Sequence, residues 1–118
     1  MNQLERFNEI INTYRRHGWQ LQRVLLRSET RNAMSEADNS LFESATVQEG
    51  EVDALWFARP SHAGREAWEL RLVGETPYAL FETFEADEPE EEREDVRLEM
   101  EARLRDYAGE ARDQSLSF

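Results

Sequence analysis

The side chains that could carry chemistry are few and scattered. There are two histidines and no cysteine. His62 lies in "RPSHAGRE", flanked by Ser61 and close to Arg59, Arg65 and Glu66. A serine nucleophile needs a histidine base and a third group to orient that base. Nothing near Ser61 and His62 in sequence completes such a set, so the segment reads as a hairpin loop. His17 follows Arg15 and Arg16 at the end of a helical pattern, where cations suit the helix dipole, and it reads as a cap. Two isolated histidines do not form a His-rich metal site. The absence of cysteine removes thiolate catalysis, Cys-built zinc sites and disulfides. All fourteen basic residues are arginine, so lysine chemistry is absent as well. No glycine-rich dinucleotide fingerprint, P-loop, G-x-S-x-G or H-E-x-x-H occurs. Carboxylates are so abundant that no pair stands out, and an acid–base dyad would need a cleft to shift one pKa. No catalytic residue, metal site or cofactor is assigned.

The densest cluster is "EADEPEEEREDVRLEM", residues 85–100. A calcium loop alternates acidic ligands around a central glycine; this stretch has no glycine, and Pro89 interrupts it. Mimicry of nucleic acid would need acids spaced like phosphates over a surface, which a linear run does not show. The run reads best as the solvated start of a helix, with Asp87 or Glu88 as N-cap, Pro89 in the first turn and Glu90 at capping-box spacing from Asp87. Beyond it Val96, Met100, Leu104, Tyr107, Ala108 and Ala111 form one apolar stripe. Glu99–Arg103 and Glu101–Arg105 are at i,i+4 spacing. Leu98 and Ala102 lie off the stripe, where they suit the edge of an interface.

The other elements follow from periodicity. Leu4, Phe7, Ile10, Ile11 and Tyr14 predict a helix over 3–17, stopped at Gly18. Residues 19–27 predict a strand: Trp19, Leu21 and Leu25 share one parity, Val24 and Leu26 the other, as expected for a central strand covered on both faces. Residues 28–45 are polar, with Ser35 placed to cap a short helix to about Phe42 or Glu43; a loop with one helical turn is the alternative. Strands follow over about 52–59, 66–74 and 77–85, with Val47 starting an earlier piece. In the second, Trp68, Leu70 and Leu72 alternate with Glu69 and Arg71. Short Pro- and Gly-bearing connectors suit hairpins, giving a meander with no βαβ period and no internal repeat.

These readings combine into one α+β domain over residues 1–118. A mainly antiparallel sheet of about four strands is packed on one face by the N- and C-terminal helices, in the order α-β-(α)-β-β-β-α. Trp56 and Phe57 must point to opposite faces of their strand. The sheet's second face would then be partly apolar and need covering by a second subunit or a ligand. That predicts a homodimer. The chain carries −12 overall, with +3 over residues 1–31 and −7 over residues 85–95. This balance works against nucleic-acid and anionic-membrane partners. No apolar run approaches the roughly 20 residues of a membrane span, and the N-terminus has no signal-peptide pattern, so a cytoplasmic location is expected. The leading expectation is a small acidic non-enzymatic protein-interaction module, a chaperone-like or structural homodimer with a protein client. In size, acidity and mixed α/β content the chain resembles the type III secretion chaperones, although this covers no motif and the element order differs. The alternative is a small-molecule binding domain or small enzyme, with a pocket lined by Trp56, Trp68 and Tyr78 and gated by the His62 loop.

Overall fold

The structure, a computed structural model, describes residues 2–116, with side chains over residues 2–110. Helix α1 (Gln3–Arg16) is capped by the Asn2 side chain, which accepts from the Glu5 amide. It ends as its local sequence predicts: the His17 N–H donates to the Tyr14 carbonyl, His17 Nδ1 lies 2.8 Å from the Thr13 carbonyl, and Gly18 turns the chain at φ +85°. Strand β1 (Gln20–Leu26) follows, then two short helices, α2 (Ser28–Ala33) and α3 (Glu36–Asn39). Ser35 and Asp38 form a reciprocal capping box on α3, and a 3₁₀ turn carries the chain on to Phe42. Strands β2 (Thr46–Glu49), β3 (Ala54–Pro60), β4 (Glu66–Leu72) and β5 (Ala79–Phe84) precede the long helix α4 (Glu90–Leu116).

The sheet has five strands in the order β2-β1-β3-β4-β5. β3, β4 and β5 form the expected meander, and β1 lies antiparallel to β3. The fifth strand is β2, which contains Val47 and pairs in parallel with β1. Residues 20–49 therefore form a parallel crossover, where no βαβ period was legible. Its helices are four and six residues long and bury no side chain fully, so no apolar stripe announces them.

The two long helices cover opposite faces of the sheet, not one. On the α1 face Phe7 and Ile11 pack with Leu21, Val24, Leu26, Leu55 and Phe57. On the other face Met100 and Leu104 of α4 pack with Leu25, Trp56, Trp68, Leu70 and Phe84. The cause lies in β3, where Leu55 and Phe57 point one way and Ala54, Trp56 and Ala58 the other. One helix on each side removes both apolar faces from water, at about 1.5–3 kcal/mol per large side chain. Each face thus receives a helix from within the chain, so the apolar face opposite α1 is covered by α4. β1 reaches both layers through a register shift between Leu21 and Arg23, so that Leu21 and Val24 face α1 together while Leu25 faces α4.

Candidate interaction surface

Beneath α4 the acidic run meets a layer of arginine and aromatic rings. The helix begins at Glu90, just after Pro89 and three residues beyond the expected Asp87 cap. Arg93 holds the preceding turn instead, donating to the carbonyls of Glu85 and Glu88 and to Glu66 at 2.8 Å. Glu90 and Glu94 reach Arg97 Nη1 at 2.5 and 3.0 Å. Arg97 is 1% exposed, and its guanidinium lies 4.0 Å from the Trp68 ring centre and 5.2 Å from that of Phe84. Arg23 completes the cluster with a two-pronged hold on Glu94, at 2.7 and 3.0 Å. Part of the run is therefore a clamp between helix and sheet. Of the two spaced pairs, Glu99–Arg103 forms at 3.8 Å, whereas Glu101 accepts from Trp56 Nε1 at 2.9 Å and Arg105 turns to Glu51. In the apolar stripe Met100 and Leu104 are buried and Val96 and Ala108 pack beside them; Ala111 lies outside the described side chains.

This cluster predicts a pH signature. The Arg23 hydrogen bonds, joined by Arg97 and opposed by partial burial, hold the Glu94 carboxyl below its usual value of 4.5. A depressed folded-state pKa stabilises the fold at pH above the unfolded value, and the contribution is lost as pH falls through the folded value. The stability difference between wild type and Glu94→Gln should be constant near neutral pH and shrink below about pH 4.5. A pH-independent difference in urea unfolding would show that the Arg23–Glu94 contact does not titrate with the fold.

The four residues picked out as ligand candidates lie as follows. Trp56 and Trp68 meet edge to face at 5.9 Å inside the core beneath α4. Tyr78 stacks on Tyr107 at 3.6 Å, beside the last residue of β4. His62 is exposed in the β3–β4 turn, at the other end of β4. At about 3.3 Å per residue, that seven-residue strand holds Tyr78 and His62 roughly 20 Å apart. The His62 turn is tight: Ala63 adopts φ 57° and Gly64 φ 76°, and Ser61 N–H donates to the Arg65 carbonyl at 2.8 Å.

A different surface gathers the exposed aromatics. α1 covers β1 and β3 but leaves the same face of β4 and β5 open. There Tyr14 stacks on Phe57 at 4.1 Å and donates its hydroxyl to Glu69; burial and this bond push the phenol pKa up. Trp19 is half-buried and meets Tyr14 and Phe81 edge to face, at 6.1 and 6.4 Å. Arg59 lies over the outer face of Trp19 at 4.8 Å and donates to the His17 carbonyl. Phe81 itself is 58% exposed.

Phe81 is also at the middle of an open edge. Leu72 N–H donates to the Tyr78 carbonyl at 2.9 Å, which turns the even-numbered residues of β5 toward β4. Ala79, Phe81 and Thr83 therefore aim their backbone groups outward, and no described strand pairs with them. Among the described residues the Thr83 amide is met only by the neighbouring Glu82 carboxylate, at 3.1 Å.

Comparison with protein-family models, curated proteins and solved structures finds no match. The chemistry of the surface must therefore be read from its own residues.

Two features escaped the sequence reading. Arg97 falls on the buried stripe with Met100 and Leu104, a spacing that could have marked it. Asp53, 3% exposed, accepts from Gln3 Nε2, the Arg27 amide and Thr30 Oγ1 at 2.8, 2.8 and 2.6 Å. Its donors Gln3, Arg27 and Thr30 also border an open pocket of about 460 Å³, together with Phe7 and Met34. With Asp53 fully engaged, this pocket is a structural junction. No three His, Asp or Glu side chains converge to hold a metal ion, and no helix is long and apolar enough to cross a membrane, among the described residues.

Proposed function

We propose that this protein is a non-enzymatic protein-interaction module, acting in the cytoplasm, that joins a polypeptide partner along β5. The observation that carries this reading is Phe81, a large apolar side chain 58% exposed at the centre of an unpaired strand edge. Such edges are templates for strand addition: main-chain hydrogen bonds supply affinity, and alternate side chains supply fit. Trp19 and Tyr14 extend the apolar surface beside it. A protein client and a second copy of the chain are both partners of this kind, and both would use the β5 edge. The pocket reading built on Trp56, Trp68, Tyr78 and His62 is weaker, because the two tryptophans fill the core and the other two residues lie at opposite ends of β4.

The test is photocrosslinking. Phe81→p-benzoylphenylalanine, irradiated in extract of the source cells, should give polypeptide adducts. The same group at Leu98, 53% exposed on α4, should not. Equal yields at both positions, or a small-molecule adduct at position 81, would count against an interaction module at this edge.

A further inference from the structure

Resting on that reading, we infer that the partner at the β5 edge is a second copy of this chain, paired antiparallel about a twofold axis through Phe81. A twofold contact must bring the same surface together with itself. The outward residues of β5 are Ala79, Phe81 and Thr83, and Phe81 is the middle one. With the axis at Phe81, each Phe81 opposes the other, and each Ala79 opposes a Thr83. Every outward N–H then meets an outward carbonyl of the other copy, so the open edge is used up. The exposed Phe81 ring gains an aromatic cross-strand partner, the kind of pair that stabilises antiparallel strands. Any other twofold register leaves outward groups unpaired and carries Phe81 off the axis.

The charges agree with this register. β5 carries one charge, Glu82, which falls opposite Leu80 of the second copy and not opposite another Glu82. Like charges are thus not directly opposed across the new ladder. The charges beside the edge are engaged within the chain: Glu69 receives the Tyr14 hydroxyl, Arg59 is spread over Trp19 and the His17 carbonyl, and Arg71, across from Ala79, donates to the Leu72 carbonyl. The acidic first turns of α4 lie on the opposite face of the sheet. On docking, the Glu82 carboxylate leaves the Thr83 amide, which passes to the incoming Ala79 carbonyl. One six-residue strand makes a small interface, so the dimer should be weak, with a dissociation constant on the order of 0.1 mM.

The experiment is sedimentation velocity over a concentration series, with amide hydrogen exchange read at both ends of the series. The expected result is a monomer–dimer equilibrium, with exchange at Ala79, Phe81 and Thr83 slowed only in the concentrated sample. Two copies each carrying −12 repel, so the dimer should tighten as salt rises from about 20 to about 500 mM. Phe81→Lys should raise the dissociation constant at least tenfold; its exposed site leaves folding intact, which a circular-dichroism melt checks. Thr83→Pro, which removes one outward N–H, should act in the same direction. A monomer at every concentration overturns the second copy as partner; position-81 adducts to another polypeptide would then leave the interaction module standing. A dimer that tolerates Phe81→Lys and leaves the three amides unprotected overturns the register outright.

Discussion

Arg97→Ala is expected to lower the free energy of unfolding by about 2–4 kcal/mol, and Arg97→Met to change it by no more than about 1 kcal/mol. Taking a guanidinium out of water costs several kcal/mol. Here the cost is offset by Glu90 and Glu94 on one edge and by the faces of Trp68 and Phe84. The offset is incomplete, because Nε is buried with no hydrogen-bond partner among the described residues. Alanine abolishes both the desolvation cost and the contacts, but it leaves a void between two aromatic rings, and that void dominates the loss. Methionine fills most of the same space with a flexible apolar chain. Glu90 and Glu94, 70% and 37% exposed at the side chain, can then turn back to water instead of being stranded. Arg97→Lys should do worse than methionine, since a strongly hydrated ammonium cannot stack as a plane. Urea unfolding of the three variants checks this. If methionine costs as much as alanine, the charge and not the filled volume holds α4 to the sheet.

Asp53→Ala is expected to cost about 3 kcal/mol, and Asp53→Asn about half as much. The carboxylate accepts from three segments at once: Gln3 at the start of α1, the Arg27 amide where β1 passes into α2, and Thr30 within α2. Its own backbone carbonyl accepts from Val73 at 2.9 Å. Removal leaves an amide, a side-chain amide and a hydroxyl without their acceptor, each costing about 1–3 kcal/mol when buried. The open pocket above them admits water, which brings the sum toward the lower end. Asparagine keeps the shape and one acceptor oxygen but presents an NH₂ to groups that are themselves donors. Because Asp53 fastens the start of α1, the amides of Glu5 to Phe7, the first hydrogen-bonded ones of the helix, should exchange faster in Asp53→Ala by more than the global loss predicts. Uniform acceleration across the chain would mean that Asp53 stabilises the fold without fastening any one element.

Much of the architecture was legible because it rests on near neighbours. The stop of α1 needs only His17 and Gly18, the capping box of α3 only Ser35 and Asp38, and the alternation in β4 only side chains two residues apart. The apolar residues on both parities of β3 already signalled two faces to be covered. The faces themselves were misassigned, because no local pattern states which side of a sheet a helix will take. Strand β2 was nearly invisible: four residues, none of them buried, joined to β1 through short polar helices.

The sequence by itself determined where α1, α4 and the β3–β5 meander lie and that both sides of β3 are apolar. It also excluded chemistry based on cysteine or lysine. Only the tertiary structure decided that α1 and α4 take opposite faces, that Arg97 and Asp53 are buried, and that β5 is left with Phe81 on an open edge. The physical reason is range. Caps and periodicities are set within a turn or two of chain, whereas Arg23 meets Glu94 across 71 residues and Gln3 meets Asp53 across 50. Whether an arginine, an aspartate or a phenylalanine faces protein or water is settled by such distant partners.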